Sequence, residues 1–178
     1  MEIFDELDER GRFTGKTVTR AEAHESGAWH RGVLIFVLDN ANRVLMQKRS
    51  MSKELWPGRW DGTAAGHVDA GEIGLFSAIR ELEEELGFKV HPSDVRYIGG
   101  YLSEDKIGKI FNRHVNEFYV AHLEVDTSKL ELQSDEVTEI AWVDFNKFKS
   151  WTRQRAPELT EKWAAFDALI RYVEGYCK

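Results

Sequence analysis

The stretch RELEEELG at residues 80–87 carries four glutamates, three of which a helix would bring together. On a helix with about 100° per residue, the side chains of Glu81, Glu84 and Glu85 share one face. The fourth, Glu83, falls at the far edge of the separate apolar stripe. Clustered carboxylates repel one another unless a cation compensates them, and Mg²⁺ or Mn²⁺ prefers carboxylate oxygens. A metal site and an ordinary solvated helix face are both compatible with this stretch alone.

The residues around this helix favour the metal site. Residues 66–88 read GHVDAGEIGLFSAIRELEEELGF, and they fit the pattern G-(any five)-E-(any seven)-R-E-U-any-E-E-any-G-U, in which U is a bulky apolar residue. This segment resembles the signature of the Nudix hydrolase superfamily. The resemblance implies an α/β fold, an α/β/α sandwich with a mixed β-sheet. In that fold a loop, a helix and a second loop hold divalent metal ions against a diphosphate.

The same resemblance implies a cofactor and roles for individual residues. The cofactor is Mg²⁺ or Mn²⁺, since such ions neutralise phosphoryl charge and lower the pKa of a bound water. The implied metal-binding residues of this segment are Gly66, Glu81, Glu84 and Glu85. Arg80 is expected to orient a glutamate, and it joins Glu81 and Glu84 in the catalytic group.

Two assignments stay open on the sequence. Glu72 is either a metal ligand or a residue that supports the ligands. The general base is either a helix glutamate, Glu81 or Glu84, or a later residue, for which Glu136 and Glu117 are the candidates. A general base is identified first by its reach to the proton it takes, and a sequence does not give that distance.

Residues 24–120 also resemble the corresponding part of isopentenyl-diphosphate isomerases, which share the Nudix fold. In that family an Arg-x-x-x-Lys pair precedes a Trp-Pro-Gly loop, and here Arg49 and Lys53 precede residues 56–58. A cationic pair beside a diphosphate is suited to bind phosphate. We therefore expect Arg49 and Lys53 to contact the substrate.

The isomerases also have metal-binding histidines and a strand glutamate, and the apparent matches are His30, His67 and Glu117, with His24 offset by one position. We expect His67 and Glu117 to bind metal and His30 to lie at the substrate. The isomerases use a cysteine immediately before a Gly-His pair, and this chain has Ala65 there. The only thiol is Cys177, far away in the sequence. We therefore expect a hydrolase of nucleoside diphosphate derivatives or other organic diphosphates. The alternatives are an isomerase-like enzyme and a non-catalytic sensor of a phosphorylated ligand.

Length and composition limit the remaining possibilities. The 178 residues predict a single domain, 1–178, and the one cysteine excludes a disulfide framework. A formal net charge of −7 argues against a nucleic-acid polymer or an anionic membrane as partner. The acidic opening, MEIFDELDER, is unlike a secretory signal and favours the cytoplasm. The expected partner is a small diphosphate, and the N-terminal hairpin offers an edge for pairing in a homodimer.

Periodicity and turn residues predict the elements that must position these side chains. A β-hairpin is expected at about 1–20, a short helical turn or loop at 21–27, a strand pair at 32–39 and 44–49, and a loop at 50–60. A glycine-interrupted strand at 60–68 precedes a helix from Ile73 to Leu86, which Gly87 ends. Further strands are expected at 95–102, 115–123 and 139–144, with a polar connection at 103–113. An amphipathic helix is expected at about 158–176.

Overall fold

The computed structural model describes residues 1–107 and 110–175, and a seven-stranded mixed sheet forms its centre. The strands are β1 (Ile3–Leu7), β2 (Phe13–Thr19), β3 (His30–Leu38), β4 (Val44–Arg49), β5 (Trp60–Asp61), β6 (Ala64–His67), β7 (Val95–Ile107), β8 (Ile110–His122) and β9 (Val137–Val143). The helices of the described residues are α1 (Arg20–Ser26), α2 (Gly74–Leu86), α3 (Phe145–Arg153) and α4 (Trp163–Val173). None of these helices is long and apolar enough to cross a membrane.

Strand β3 lies in the middle of the fold because its apolar residues are buried on both faces. Alternate strand residues point to opposite faces of a sheet. Leu34, Phe36 and Leu38 accordingly pack in one core cluster with residues of α3 and α4. Val33, Ile35 and Val37 pack in a second cluster with residues of α2. The sheet is therefore covered by helices on both faces, and the predicted α/β/α class is confirmed.

The predicted pair of β3 and β4 is a hairpin only next to its turn. The two strands pair at Val37 with Leu45 and at Leu38 with Val44. Beyond these residues they separate: β6 pairs with β3, while β5 and β9 pair with β4. This separation places β6, which carries the Ala-Ala-Gly-His segment, beside β3 and under α2.

The structure also corrects several predicted boundaries. The stretch 103–113, predicted as a polar connection, belongs largely to the long strands β7 and β8, and residues 108–109 lie outside the described part. Helix α3 was not predicted, although Phe145, Phe148 and Trp151 recur at helical spacing and Asp144 caps its N-terminus. The last helix begins at Trp163, because residues 158–160 run extended beside Trp60 and bond to its backbone. Cys177 and the predicted end of this helix lie outside the described residues.

A buried carboxylate ties β5 to the segment that leads into α4. Asp61 is fully buried and accepts hydrogen bonds from Lys162 at 2.7 Å and from Thr160 at 3.1 Å. The Arg49 guanidinium lies 3.5 Å from the same carboxylate. Burial by itself raises the pKa of Asp61, but the two cations outweigh it and lower this pKa below its ordinary value. Asp61 is therefore ionised and holds the two cations in place.

Asp61→Asn is expected to lower the free energy of unfolding by about 3–5 kcal/mol at neutral pH, because it leaves buried cations without their counter-charge. Since the folded pKa of Asp61 is lowered, this stabilisation is present above the ordinary pKa of 3.8 and disappears as pH falls through the folded value. Urea unfolding followed by tryptophan fluorescence measures the difference. The matched control is Glu139→Gln, which breaks an exposed pair with Lys48 and should cost less than about 1 kcal/mol. Equal losses in both variants would contradict this role of Asp61.

Candidate functional site

Helix α2 lays three glutamates along one cavity of about 360 Å³, which we call the glutamate cavity. Glu81, Glu84 and Glu85 line it, as the helical angles predict. Glu83 does not line this cavity, and it forms an ion pair with Lys89 at 2.8 Å instead. The remaining lining residues are Met1, Glu2, Arg20, Lys53, Ala65, Gly66, His67, Asp69, Arg80, Gln133 and Glu136.

Gly66 is required because the Glu81 carboxyl group packs directly over its backbone. Gly66 lies on β6, in register with Val33 of β3. A Cβ atom at position 66 would lie 2.2 Å from the Glu81 carboxyl carbon. Only glycine therefore allows the strand and the acidic face of α2 to approach this closely.

Arg80 holds the carboxylates of the cavity in fixed positions. One guanidinium nitrogen donates to Glu81 at 2.8 Å and to Glu84 at 3.1 Å. The other donates to the carbonyl oxygen of His67 at 3.0 Å and to Glu72 at 3.3 Å. Glu72 also accepts from the hydroxyl of Ser77 and does not line the glutamate cavity. Arg80 thus orients glutamates, and Glu72 lies behind it as a support.

Burial leaves two of these glutamates short of positive charge. Burial raises the pKa of Glu81 to about 7, even though Arg80 lowers it. The pKa of Glu85 is raised well above its ordinary value, again by burial first and then by the charges of Glu81 and Glu136. The Glu85 carboxylate accepts a hydrogen bond from Gln47 at 2.9 Å, which supplies a dipole but no charge. These buried oxygen donors fit a divalent cation, which would favour their ionised forms.

A larger cavity of about 780 Å³ adjoins the glutamate cavity. Six residues line both cavities: Arg20, Lys53, Ala65, Gly66, His67 and Glu136. Trp56 and Trp163 also line the larger cavity. Trp56 has a φ of 51°, a left-handed backbone conformation that is unusual for a bulky residue. The larger cavity is wide enough for a small organic group beside the carboxylates.

The two predicted phosphate-binding cations both reach the larger cavity. Arg49 is held by the carbonyl oxygen of Leu55 at 2.9 Å and by Asp61. Lys53 forms an ion pair with Glu136, and both of these residues also line the glutamate cavity. Of the four candidates for the general base, Glu81, Glu84 and Glu136 line the glutamate cavity and Glu117 does not.

Four histidines meet on the other side of β6. One ring nitrogen from each of His24, His30, His67 and His114 lies within 4.8 Å of the other three. His114 was not predicted, but β3 and β8 pair in parallel with His30 directly opposite His114. Burial lowers the pKa of His30 to about 4 and that of His114 well below its ordinary value, so both rings are neutral at pH 7.

Two predicted site residues of this region lie apart from the groups that the predictions associate them with. Glu117 does not join the histidines, because residues 114 and 117 of β8 point to opposite faces of the sheet. Its carboxylate instead accepts from the Tyr119 hydroxyl and lies 3.9 Å from Arg31. The role of His30 at the substrate stays a prediction: its side chain is fully buried and lines neither cavity.

A family model and the sequences of known proteins both match this chain. A model of the NUDIX domain matches residues 28–163. Nudix hydrolase 3 of Arabidopsis thaliana is 34% identical over 161 residues, which are 88% of this chain and 21% of that protein. An isopentenyl-diphosphate Delta-isomerase of Cutibacterium acnes is 33% identical over 164 residues, covering 89% of this chain and 81% of the relative. The chain thus spans about a fifth of the first relative and most of the second.

A solved structure supports the fold. The crystal structure of DR0079 from Deinococcus radiodurans superimposes with a TM-score of 0.73 at 19% identity. The match covers 96% of this chain and 99% of the other. At this identity the likeness shows a shared fold.

The raised pKa of Glu81 predicts a stability cost that depends on pH. Protonated Glu81 is compatible with its buried position, so its contribution to the free energy of unfolding is fully present below the ordinary pKa of 4.5. This contribution is lost as pH rises through the folded pKa of about 7, because the buried carboxyl group then becomes charged. Glu81→Gln should therefore stabilise the chelator-treated protein by about 2–3 kcal/mol at pH ~8, and by much less at pH ~5. Urea unfolding at the two pH values tests this, with the exposed Glu83→Gln as the control. A gain that is the same at both pH values would refute the charge explanation.

Proposed function

Because the chain belongs to the Nudix family, we propose that it is a Mg²⁺- or Mn²⁺-dependent hydrolase that cleaves the diphosphate linkage of a nucleoside diphosphate derivative or another organic diphosphate. The observation that carries this proposal is the placement of Glu81, Glu84 and Glu85 around one cavity, with Glu81 packed on Gly66. Arg80 pairs with Glu81 and Glu84. Glu85 is buried and bonds to the neutral Gln47, so the cluster keeps negative charge that a cation would compensate. The net charge of −7 agrees with a small-molecule substrate rather than a nucleic-acid polymer.

The donor set is suited to a hard divalent cation. The residues that would hold it are Glu81, Glu84 and Glu85, together with the Gly66 backbone, and all line the glutamate cavity. Such an ion neutralises phosphoryl charge and lowers the pKa of an attacking water. Two residues that the resemblance assigns to metal are left out of this set. Glu117 lies beside Gly74 at the start of α2 and does not line the glutamate cavity, and His67 lies with the other histidines.

The chain's own residues then position the substrate. In the reaction, a water oxygen forms a bond to one phosphorus while the bridging oxygen leaves with the other phosphate group. The proton of this water passes to a carboxylate of the glutamate cavity. Arg49 and Lys53 lie on the wall of the adjoining cavity, where their charges would bind the phosphate oxygens. Arg80 keeps Glu81 and Glu84 oriented through its hydrogen bonds.

The residue at position 65 favours hydrolysis over isomerisation. Ala65 pairs with Leu34 and lines both cavities. It therefore occupies the place at which the isomerase resemblance would put an acid–base cysteine. A methyl group neither donates nor accepts a proton, so position 65 supplies no acid or base for moving the double bond of an isopentenyl group.

Glu84→Gln is expected to reduce turnover of a diphosphate substrate by two or more orders of magnitude, roughly the effect of several kcal/mol on the barrier. Folding should be preserved, because Glu84 is largely exposed. Metal-stimulated release of monophosphate products from a broad diphosphate panel measures this change. The control Glu83→Gln lies on the same helix but outside the cavity, and it should retain activity. Full activity in Glu84→Gln would contradict the assignment.

The same panel should include isopentenyl diphosphate, analysed for both isomer and free phosphate. We expect hydrolysis of at least one panel member and no interconversion of the isomers, because Ala65 supplies no acid or base. Isomerisation without hydrolysis would instead establish an isomerase. Tight binding that persists in EDTA, with no product formed, would indicate a sensor.

Lys53→Met should raise KM for the substrate by about 10- to 100-fold, the range expected when a hydrogen bond to a charged group is lost. Lys53→Arg should restore most of the affinity because it keeps the charge. Steady-state kinetics on the best panel substrate test this, with Lys48→Met as a control. Lys48 pairs with Glu139 and lines neither cavity. An unchanged KM in Lys53→Met would remove Lys53 from the substrate site.

A further inference from the structure

The larger cavity contains a polar stretch of sheet that hydrolysis by the glutamates does not use. Strands β7 and β8 pair antiparallel there, with Asp105 directly opposite Asn112 and Tyr101 directly opposite Asn116. Because alternate residues of a strand point to the same face, Ser103 of β7 points to the side of its neighbour Asp105. We call Ser103, Asp105, Asn112 and Asn116 the polar face. All four residues line the larger cavity, and none lines the glutamate cavity.

The side-chain amide of Asn116 is held in one orientation. Its Nδ2 donates to the hydroxyl of Ser103 at 2.8 Å and to the carbonyl oxygen of Tyr101 at 3.3 Å. Because a carbonyl only accepts, the nitrogen must lie on that side, and Oδ1 then points toward β3. A Cβ atom at Gly32, which also lines the larger cavity, would lie 3.0 Å from this Oδ1. No donor among the described residues bonds to Oδ1, so it is a positioned acceptor at the cavity wall.

Asn112 is buried without a protein partner for its amide. The residue is 8% exposed and lines the larger cavity. Within residues 1–107 and 110–175, no group forms a hydrogen bond with its side chain. Buried polar side chains are nearly always paired, and leaving one unpaired costs about 1–3 kcal/mol. The partner that this amide needs must therefore come from the cavity.

Asp105 adds a carboxylate to the same face. It is half-buried and forms no ion pair with any residue in the described part of the chain. Burial, followed by the charge of Glu161, raises the pKa of this carboxyl group above its ordinary value. An ionised carboxylate only accepts hydrogen bonds, so a ligand next to Asp105 has to supply donors. The polar face thus offers several acceptors to the cavity and asks for donors in return.

On the basis of the proposed hydrolysis, we propose that the polar face binds an organic group with several hydroxyl donors, such as a sugar, on one side of the diphosphate. Hydroxyls match the acceptors of Asp105 and Asn116 and both ends of the Asn112 amide. An isoprenoid chain offers no donor and would leave these groups unpaired. A site built to hydrogen-bond a substrate hydroxyl strongly rejects an analogue that lacks it. The polar face therefore selects against the apolar group of isopentenyl diphosphate.

Ligand binding to the Glu84→Gln protein tests the polar face separately from hydrolysis, since slow turnover leaves the ligand intact. Uridine diphosphate glucose is compared with two analogues that lack hydroxyls. One has a cyclohexyl group in place of glucose, and the other has dideoxyribose in place of ribose. Calorimetric titration in Mg²⁺ should show at least one analogue binding about 10-fold or more weakly than the parent compound, because buried acceptors lose their donors. Equal affinities for all three compounds would overturn the proposal, as would tighter binding of isopentenyl diphosphate.

Variants of the polar face decide which residues carry this preference. In the same parent, Asn112→Leu keeps the size of the side chain but removes its amide, and Asp105→Ala removes the carboxylate. Each should reduce the difference in affinity between the hydroxylated compound and its weaker analogue. Asp105→Asn, which keeps an acceptor, should retain most of it. Circular dichroism checks folding, and Asn146→Leu is the control, since Asn146 is exposed and lines neither cavity.

An undiminished preference in folded Asn112→Leu and Asp105→Ala would refute the role of the polar face. Hydrolysis of uridine diphosphate glucose by the wild-type protein is measured in parallel. Product formation without a binding preference would overturn the polar face alone. A preference that depends on Asn112 and Asp105, with no product from any diphosphate, would support the polar face and contradict the hydrolase.

Discussion

The close contact between the Glu81 carboxyl group and the Gly66 backbone fixes the acidic helix against the sheet. The glutamate cavity lies at this contact, since both residues line it. It sets the height of α2 over β6, and it brings Arg80 within reach of the His67 carbonyl oxygen. Since a Cβ at position 66 would occupy the space of the carboxyl group, the contact also explains why the strand contains glycine there.

Burying the glutamates that would bind a cation lowers the stability of the fold without that cation. Burial raises the pKa of Glu81 and Glu85, so the ionised forms that would bind a cation are disfavoured in the fold alone. The hydrophobic clusters on both faces of the sheet supply the stability that tolerates this cost. Carboxyl groups with perturbed pKa values are typical of functional sites, where a bound ligand compensates the charge that the protein leaves unpaired.

Neighbouring residues of the short strand β6 lie in different surroundings because their side chains point alternately to opposite faces of the sheet. Ala64 packs in the core cluster under α2, whereas Ala65 packs against the cluster on the opposite face. Gly66 then meets Glu81, and His67 meets the other histidines. A strand period of two residues thus separates an oxygen-rich site from a nitrogen-rich one over adjacent positions.

The sequence alone determined the acidic helix, its end at Gly87, the α/β class and the membership of Gly66 and the glutamates in one motif, since these depend on local spacing. It also predicted the N-terminal hairpin, and it left residues 21–27, which form most of α1, as either a helical turn or a loop. Helix α3 was not predicted, although its apolar residues recur at helical spacing. The predicted start of α4 was wrong because residues 158–160 are extended by long-range pairing with Trp60. Only the tertiary structure decided that His114 joins the histidines and that Glu117 does not. That outcome depends on the parallel register of β3 with β8, which no local pattern encodes, because partners in a sheet are chosen between segments far apart in the chain.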